Sequence, residues 1–131
     1  MLAIVDANEC EVEPTRDWLE QELANISSRA ENPFFVLLHD AGEQWNVLAE
    51  PDGFVVELYS EERGGALAAF RDHESRDHVP GKRRGFLASL FGGKPAIMGS
   101  RLTQSEALAA TESWLSGRSD VPGFRWERLY R

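Results

Sequence analysis

The chain has 131 residues, 42% hydrophobic and 27% charged, a balance that suits a globular domain able to bury roughly two thirds of its unfolded surface. No apolar run approaches the ~20 residues that a membrane-spanning helix needs, and a single cysteine, Cys10, excludes an internal disulfide or a thiolate metal cluster. A net charge of −8 argues against nucleic acid as a partner.

Leu2–Val5 and Cys10–Val12 are two short stretches at the start, either of which can supply a strand. The N-terminus lacks a basic region and turns acidic at Asp6, against a secretory signal, so a reduced cytoplasmic protein is expected. Pro14 and Thr15 open a helix, with Asp17 favourable at its positive end. Leu19, Leu23, Ile26 and Ala30 recur at helical spacing beside Trp18 and form one buried stripe, with Arg16, Glu20 and Gln21 opposite. Asn32-Pro33 ends that pattern. Phe34 to His39, Gln44 to Ala49 and Phe54 to Ser60 are β-prone runs joined by turn clusters at Asp40-Ala41-Gly42-Glu43 and Pro51-Asp52-Gly53. Trp45, Val47 and Ala49 share a side of the second run. On the third, Phe54, Val56 and Leu58 share one face while Val55, Glu57 and Tyr59 share the other. Such a meander can be covered on one face and open on the other.

After Gly64-Gly65, Ala66 to Phe70 suits a fourth strand or one helical turn. Residues 71–84 are polar, mixed in charge and contain Pro80 and Gly81, and are predicted to form a long loop. Lys82-Arg83-Arg84 carries too few charges to hold a membrane alone, and Phe86, Leu87, Leu90 and Phe91 make a small helical stripe after it. Ala96-Ile97-Met98 suits a short strand. Thr103 with Glu106 is a capping box, Ala107, Leu108, Thr111, Trp114 and Leu115 give the helix its buried face, and Gly117 can stop it. Val121-Pro122-Gly123 leads into Phe124-Arg125-Trp126-Glu127, a strand with Phe124 and Trp126 on one face. Trp18, Trp114 and Trp126 belong to the core by pattern, and Trp45 fits core or surface. The expectation is one α+β domain over 1–131. Its antiparallel sheet would have about four to six strands packed with an N-terminal and a C-terminal helix, the last strand carrying Trp126.

No catalytic pattern is complete. His73 and His78 resemble a zinc HExxH with the second His one residue late, which on a helix turns the two about 140° apart. Gly92-Gly93-Lys94 ends like a phosphate loop, but Ala88 stands at the upstream glycine and Pro95 where a hydroxyl would hold magnesium. No Ser sits in a nucleophile elbow. Neither catalysis, a cofactor nor a metal is therefore expected.

The block from Thr103 to Glu127 resembles the C-terminal signature of the Imm1-like immunity proteins of bacterial polymorphic-toxin systems. The residues that carry it are Glu106-Ala107-Leu108, Trp114-Leu115, Pro122 and Trp126-Glu127. A second, weaker match runs from Trp18 to Glu57, and 61–95 matches nothing in that pattern. The resemblance implies a non-catalytic inhibitor that occludes the active site of a cognate toxin; from the residues themselves, a monomer or weak homodimer is expected, with neither nucleic acid nor membrane as a partner. Many secreted toxins that attack nucleic acid are basic, so a basic partner is expected.

Charge fits that expectation. Residues 1–62 hold fifteen Asp/Glu against two Lys/Arg, whereas 63–131 hold seven against twelve, an asymmetry that points to a charged partner unless the signs interleave on folding. Toxin-binding candidates are Asp40, Glu43, Asp52, Glu57, Glu61 and Glu62, at hairpin ends or on the open sheet face, with Trp45 and Tyr59 beside them. The alternative is a small adaptor or ligand-binding domain that uses the central loop.

Overall fold

The computed structural model describes residues 1–40, 42–74, 82–83, 96–97, 99–118 and 121–128, with the backbone alone at 82–83 and 96–97. Two strands, β1 (Leu2–Val5) and β2 (Asn8–Glu11), precede helix α1 (Arg16–Ser28). The next four are β3 (Phe34–Leu38), β4 (Gln44–Glu50), β5 (Gly53–Ser60) and β6 (Gly65–Arg71). Then come β7 (Lys82–Arg83), β8 (Ala96–Ile97), helix α2 (Gln104–Leu115) and β9 (Phe124–Arg128). Seven strands form one antiparallel sheet in the order β2-β1-β3-β4-β5-β6-β9, while β7 and β8 pair with each other. This is the α+β architecture expected, with Trp126 on the last strand.

The sheet is wider than the four to six strands predicted, because both N-terminal stretches are used. They pair with each other through a two-residue turn at Asp6 and Ala7, whose φ of 51° and 63° are the left-handed values such a hairpin requires. β1 then pairs with β3 and joins this hairpin to the meander. The predicted loop over 71–84 is also corrected at two places: Arg71 ends β6, and Lys82–Arg83 is paired strand. His78, Ala88, the Phe86 to Phe91 stripe and Gly92 to Pro95 lie outside the described residues.

Both helices lie on one face of the sheet. Leu19, Leu23 and Ile26 of α1 and Ala107, Leu108, Ala110 and Trp114 of α2 pack on Phe35, Leu37, Trp45, Val47, Phe54, Val56 and Leu58. Ala30 falls beyond the end of α1 and is exposed. At the start of α2 the capping box is complete, with Thr103 Oγ1 accepting from Glu106 N–H and the Glu106 carboxylate accepting from Thr103 N–H. At its end Gly117 (φ 78°) bonds back to Trp114, and Arg118 N–H reaches Ser113 C=O, a Schellman stop.

The opposite face is not open as predicted. Val36, Asn46, Val55, Glu57, Ala68 and Phe70 all point that way and all are buried. With Val36, Val55, Ala66, Ala68 and Phe70 on it, this face is too apolar to leave to water.

The sheet has one irregularity, between β5 and β6, which pair only from Glu57↔Ala68 to Ser60↔Gly65. Beyond that they part, and 99–102 fills the gap. Phe54 and Leu102 exchange N–H···O bonds of 2.9 and 2.7 Å, Ser100 N–H donates to Ala69 C=O at 2.9 Å, and Arg71 N–H donates to Ser100 Oγ at 3.0 Å. A Cβ on Gly99 would lie 2.5 Å from the Ala69 carbonyl oxygen. Gly99→Ala therefore forces the connector away from β6. It should cost about 2 kcal/mol or more in urea denaturation, and an unchanged midpoint would show that the connector is not wedged.

Candidate functional site

Alternating strand direction decides which candidates meet. β3 and β5 run the same way, so the β3–β4 and β5–β6 turns lie at one end of the sheet. Asp40 and Glu43 stand in the first turn, Glu61 and Glu62 in the second. The register Leu2↔Leu38 and Leu2↔Glu11 brings the start of β1 and Glu11 to the same end.

Asp40, Glu61 and Glu62 are exposed and make no ion pair among the described residues. Glu43 is half-buried, its carboxylate accepting from Trp114 Nε1 at 3.2 Å. Glu11 is exposed beside the Met1 amino group, 3.2 Å away. Tyr59 is half-buried near this end of β5. The acidic turn also holds Arg63, and Arg128 ends β9 beside it.

Three candidates lie elsewhere. Asp52 is at the far end of the sheet, 2.8 Å from Arg101 Nε. Glu57 is fully buried in mid-strand, on the face away from the helices. Trp45 is core: it is fully buried, stacks on Trp114 with ring centroids 5.2 Å apart, and donates its Nε1–H to Thr111 Oγ1 at 3.0 Å.

The far end holds a polar cluster that sequence reasoning did not anticipate. Arg71 forks onto both Glu106 oxygens and reaches Glu74 through Nη1. Ser100 Oγ donates to the second Glu74 oxygen at 3.1 Å. Arg125 donates to the backbone carbonyls of Arg71, Asp72 and Glu74 and to Glu127, with its guanidinium 5.6 Å from the centre of the Phe70 ring. The hydrogen bonds from Arg71 hold the Glu106 carboxyl far below its ordinary range, at about 2. Burial pushes Glu74 upward, yet bonds from Arg71 and Ser100 outweigh it and lower its pKa. Glu106, above all, raises that of Arg71. These partners satisfy one another and tie β6, β9, the 99–102 connector and the start of α2 together.

Part of the charge of the second half is taken up in pairs inside the fold. Arg71, Arg101 and Arg125, three bases of the second half, are engaged within the fold. Acids of the first half, including Asp40, Glu61 and Glu62, remain at the surface. An open groove of about 450 Å³ between α1 and α2 is lined by Arg16, Glu20, Leu108 and Glu112, among others. Arg16 pairs along α1 with Glu20 at 3.2 Å and across the groove with Glu112 at 3.4 Å.

Among the described residues, no three His, Cys, Asp or Glu side chains group to hold a metal ion, and no helix is long and apolar enough to cross a membrane. Comparison with known protein families, with curated proteins and with solved structures finds no match.

Proposed function

We propose that the chain is an immunity protein that binds a basic cognate toxin domain and blocks its active site, with the acid-rich end of the sheet as its docking edge. The observation that carries this reading is the exposed set Asp40, Glu61 and Glu62, gathered at one end while three arginines are engaged elsewhere. The Thr103 to Glu127 block, on which the Imm1-like resemblance rests, also supports it. A field of one sign speeds docking of an oppositely charged protein by roughly 10- to 1000-fold at low salt, and inhibition by occlusion needs no chemistry of the inhibitor's own.

The test is co-expression with a basic toxin domain recovered from the native bacterium, with binding measured at low and high salt. The protein should restore growth and bind at nanomolar strength, with an on-rate that falls as salt rises. Asp40→Lys, Glu61→Lys and Glu62→Lys together should slow association about tenfold or more and leave the unfolding midpoint nearly unchanged, since all three side chains are exposed. Full protection with an unchanged, salt-independent on-rate would overturn the docking edge. Failure to retain or neutralise any toxin would overturn the function.

A further inference from the structure

β2 is one edge of the sheet, β9 the other, and the backbone phase of β2 is fixed by the hairpin. The Met1 amino group donates to Val12 C=O and Val12 N–H donates to Met1 C=O, both at 2.9 Å. In an antiparallel ladder, hydrogen-bonded pairs alternate with non-bonded ones. Counting from Met1 and Val12 along the register, Ala3↔Cys10 and Val5↔Asn8 are the bonded pairs. Asn8 and Cys10 thus spend their N–H and C=O groups on β1, whereas those of Glu9 and Glu11 point outward.

The side chains of Glu9 and Glu11 lie on one face of the sheet, the face of Ile4 and Leu2, and both are exposed. Among the described residues Glu9 makes no ion pair, and Glu11 pairs with the Met1 amino group. The edge therefore offers two outward donor–acceptor pairs, two residues apart, each with a carboxylate standing beside it. Opposed carboxylates bar a second copy, because antiparallel β2–β2 pairing would set Glu9 and Glu11 against their own counterparts.

We infer that β2 accepts an added antiparallel strand from a cationic partner, an extended segment carrying Lys or Arg at every second residue. Its main chain bonds to Glu9 and Glu11, and its cations meet their carboxylates across the new ladder. The rival reading is that the two carboxylates only shield an edge from aggregation. The inference stands apart from toxin neutralisation, and its test needs no toxin.

The probe is a blocked peptide of about seven residues alternating lysine with valine or threonine. It should bind saturably, and the amides of Glu9 and Glu11 should gain hydrogen-exchange protection while those of Cys10 and Asn8, already bonded, change little. A peptide of the same sequence, N-methylated on alternate residues to remove the donors facing β2, should lose the protection. Glu9→Lys with Glu11→Lys should weaken binding about tenfold, the equivalent of 1.4 kcal/mol. Glu9→Pro removes an outward N–H without touching the β1–β2 ladder, as proline is tolerated on edges, and should also abolish the protection. No binding, or binding that survives N-methylation without protecting Glu9 and Glu11, overturns the inference and leaves the shielding role.

Discussion

Arg71→Met should lower the unfolding free energy by about 3 kcal/mol at neutral pH and flatten its dependence on acid. Arg71 is the shared partner of Glu106 and Glu74, and the three side chains are only 21%, 29% and 26% exposed. Removing the guanidinium strands two carboxylates that water reaches poorly, so the cost falls near the low end for a broken buried pair. The sign of the pH effect follows from Glu106. Its folded pKa, about 2, lies below the usual 4.5, so its contribution is fully present above pH 4.5 and is lost as pH falls towards 2. Partial solvent screening holds that contribution to about 2 kcal/mol. Glu74 adds to it in the same direction. Urea denaturation at steps from pH 7 down to 2.5 reads both effects, and a cycle with Glu106→Gln, which preserves the capping box, isolates the pair. Equal acid slopes in wild type and Arg71→Met would show that the clasp contributes nothing.

Trp45→Ala should cost about 4 kcal/mol, a large part of the 5–15 kcal/mol that holds a domain folded. The indole is fully buried, stacked on Trp114 at 16° and set edge-on to Trp126 with centroids 5.5 Å apart. Its loss opens a cavity between the sheet and α2 and takes a donor from Thr111, whose hydroxyl then keeps only its bond to the Ala107 carbonyl. Trp45→Phe should cost about half as much, because the ring remains and the donor is lost. Near-UV circular dichroism adds a second readout, since the close Trp45–Trp114 stack should give a coupled signal that vanishes in both variants. A Trp45→Ala protein within 1 kcal/mol of wild type would remove Trp45 from the centre of the core.

The local grammar of the fold was legible. Leu19, Leu23 and Ile26 announced the inner face of α1, alternation in β4 and β5 assigned each residue to its face, and Thr103 with Glu106 marked the start of α2. Strand order was not legible, since no local pattern says that β9 returns to β6 across the whole of 72–123. The polar cluster around Arg71 was hidden for the same reason: Arg71, Ser100, Glu106 and Arg125 are distant in sequence, and Glu106 read only as a helix cap and as part of the Imm1-like block. Among site candidates, the turn positions of Asp40, Glu43, Glu61 and Glu62 were legible from their turn residues, whereas their meeting at one end of the sheet follows from the strand order. Glu57 was misplaced because alternation tells the two faces apart without saying which is covered; Asp52 does stand at a hairpin end, but its pairing with Arg101, from a remote connector, was not legible.

The edge position of β9 has a consequence for how the protein is made. Translation delivers β6 well before the strand that covers it, and at ordinary elongation rates the intervening stretch takes roughly three to ten seconds to appear. Throughout that interval the Gly65 to Phe70 stretch, which carries no charge, has no β9 beside it and is the kind of bare apolar edge that recruits other nascent chains. Chaperone binding to the new chain should therefore rise after β6 emerges and fall once β9 has paired with it.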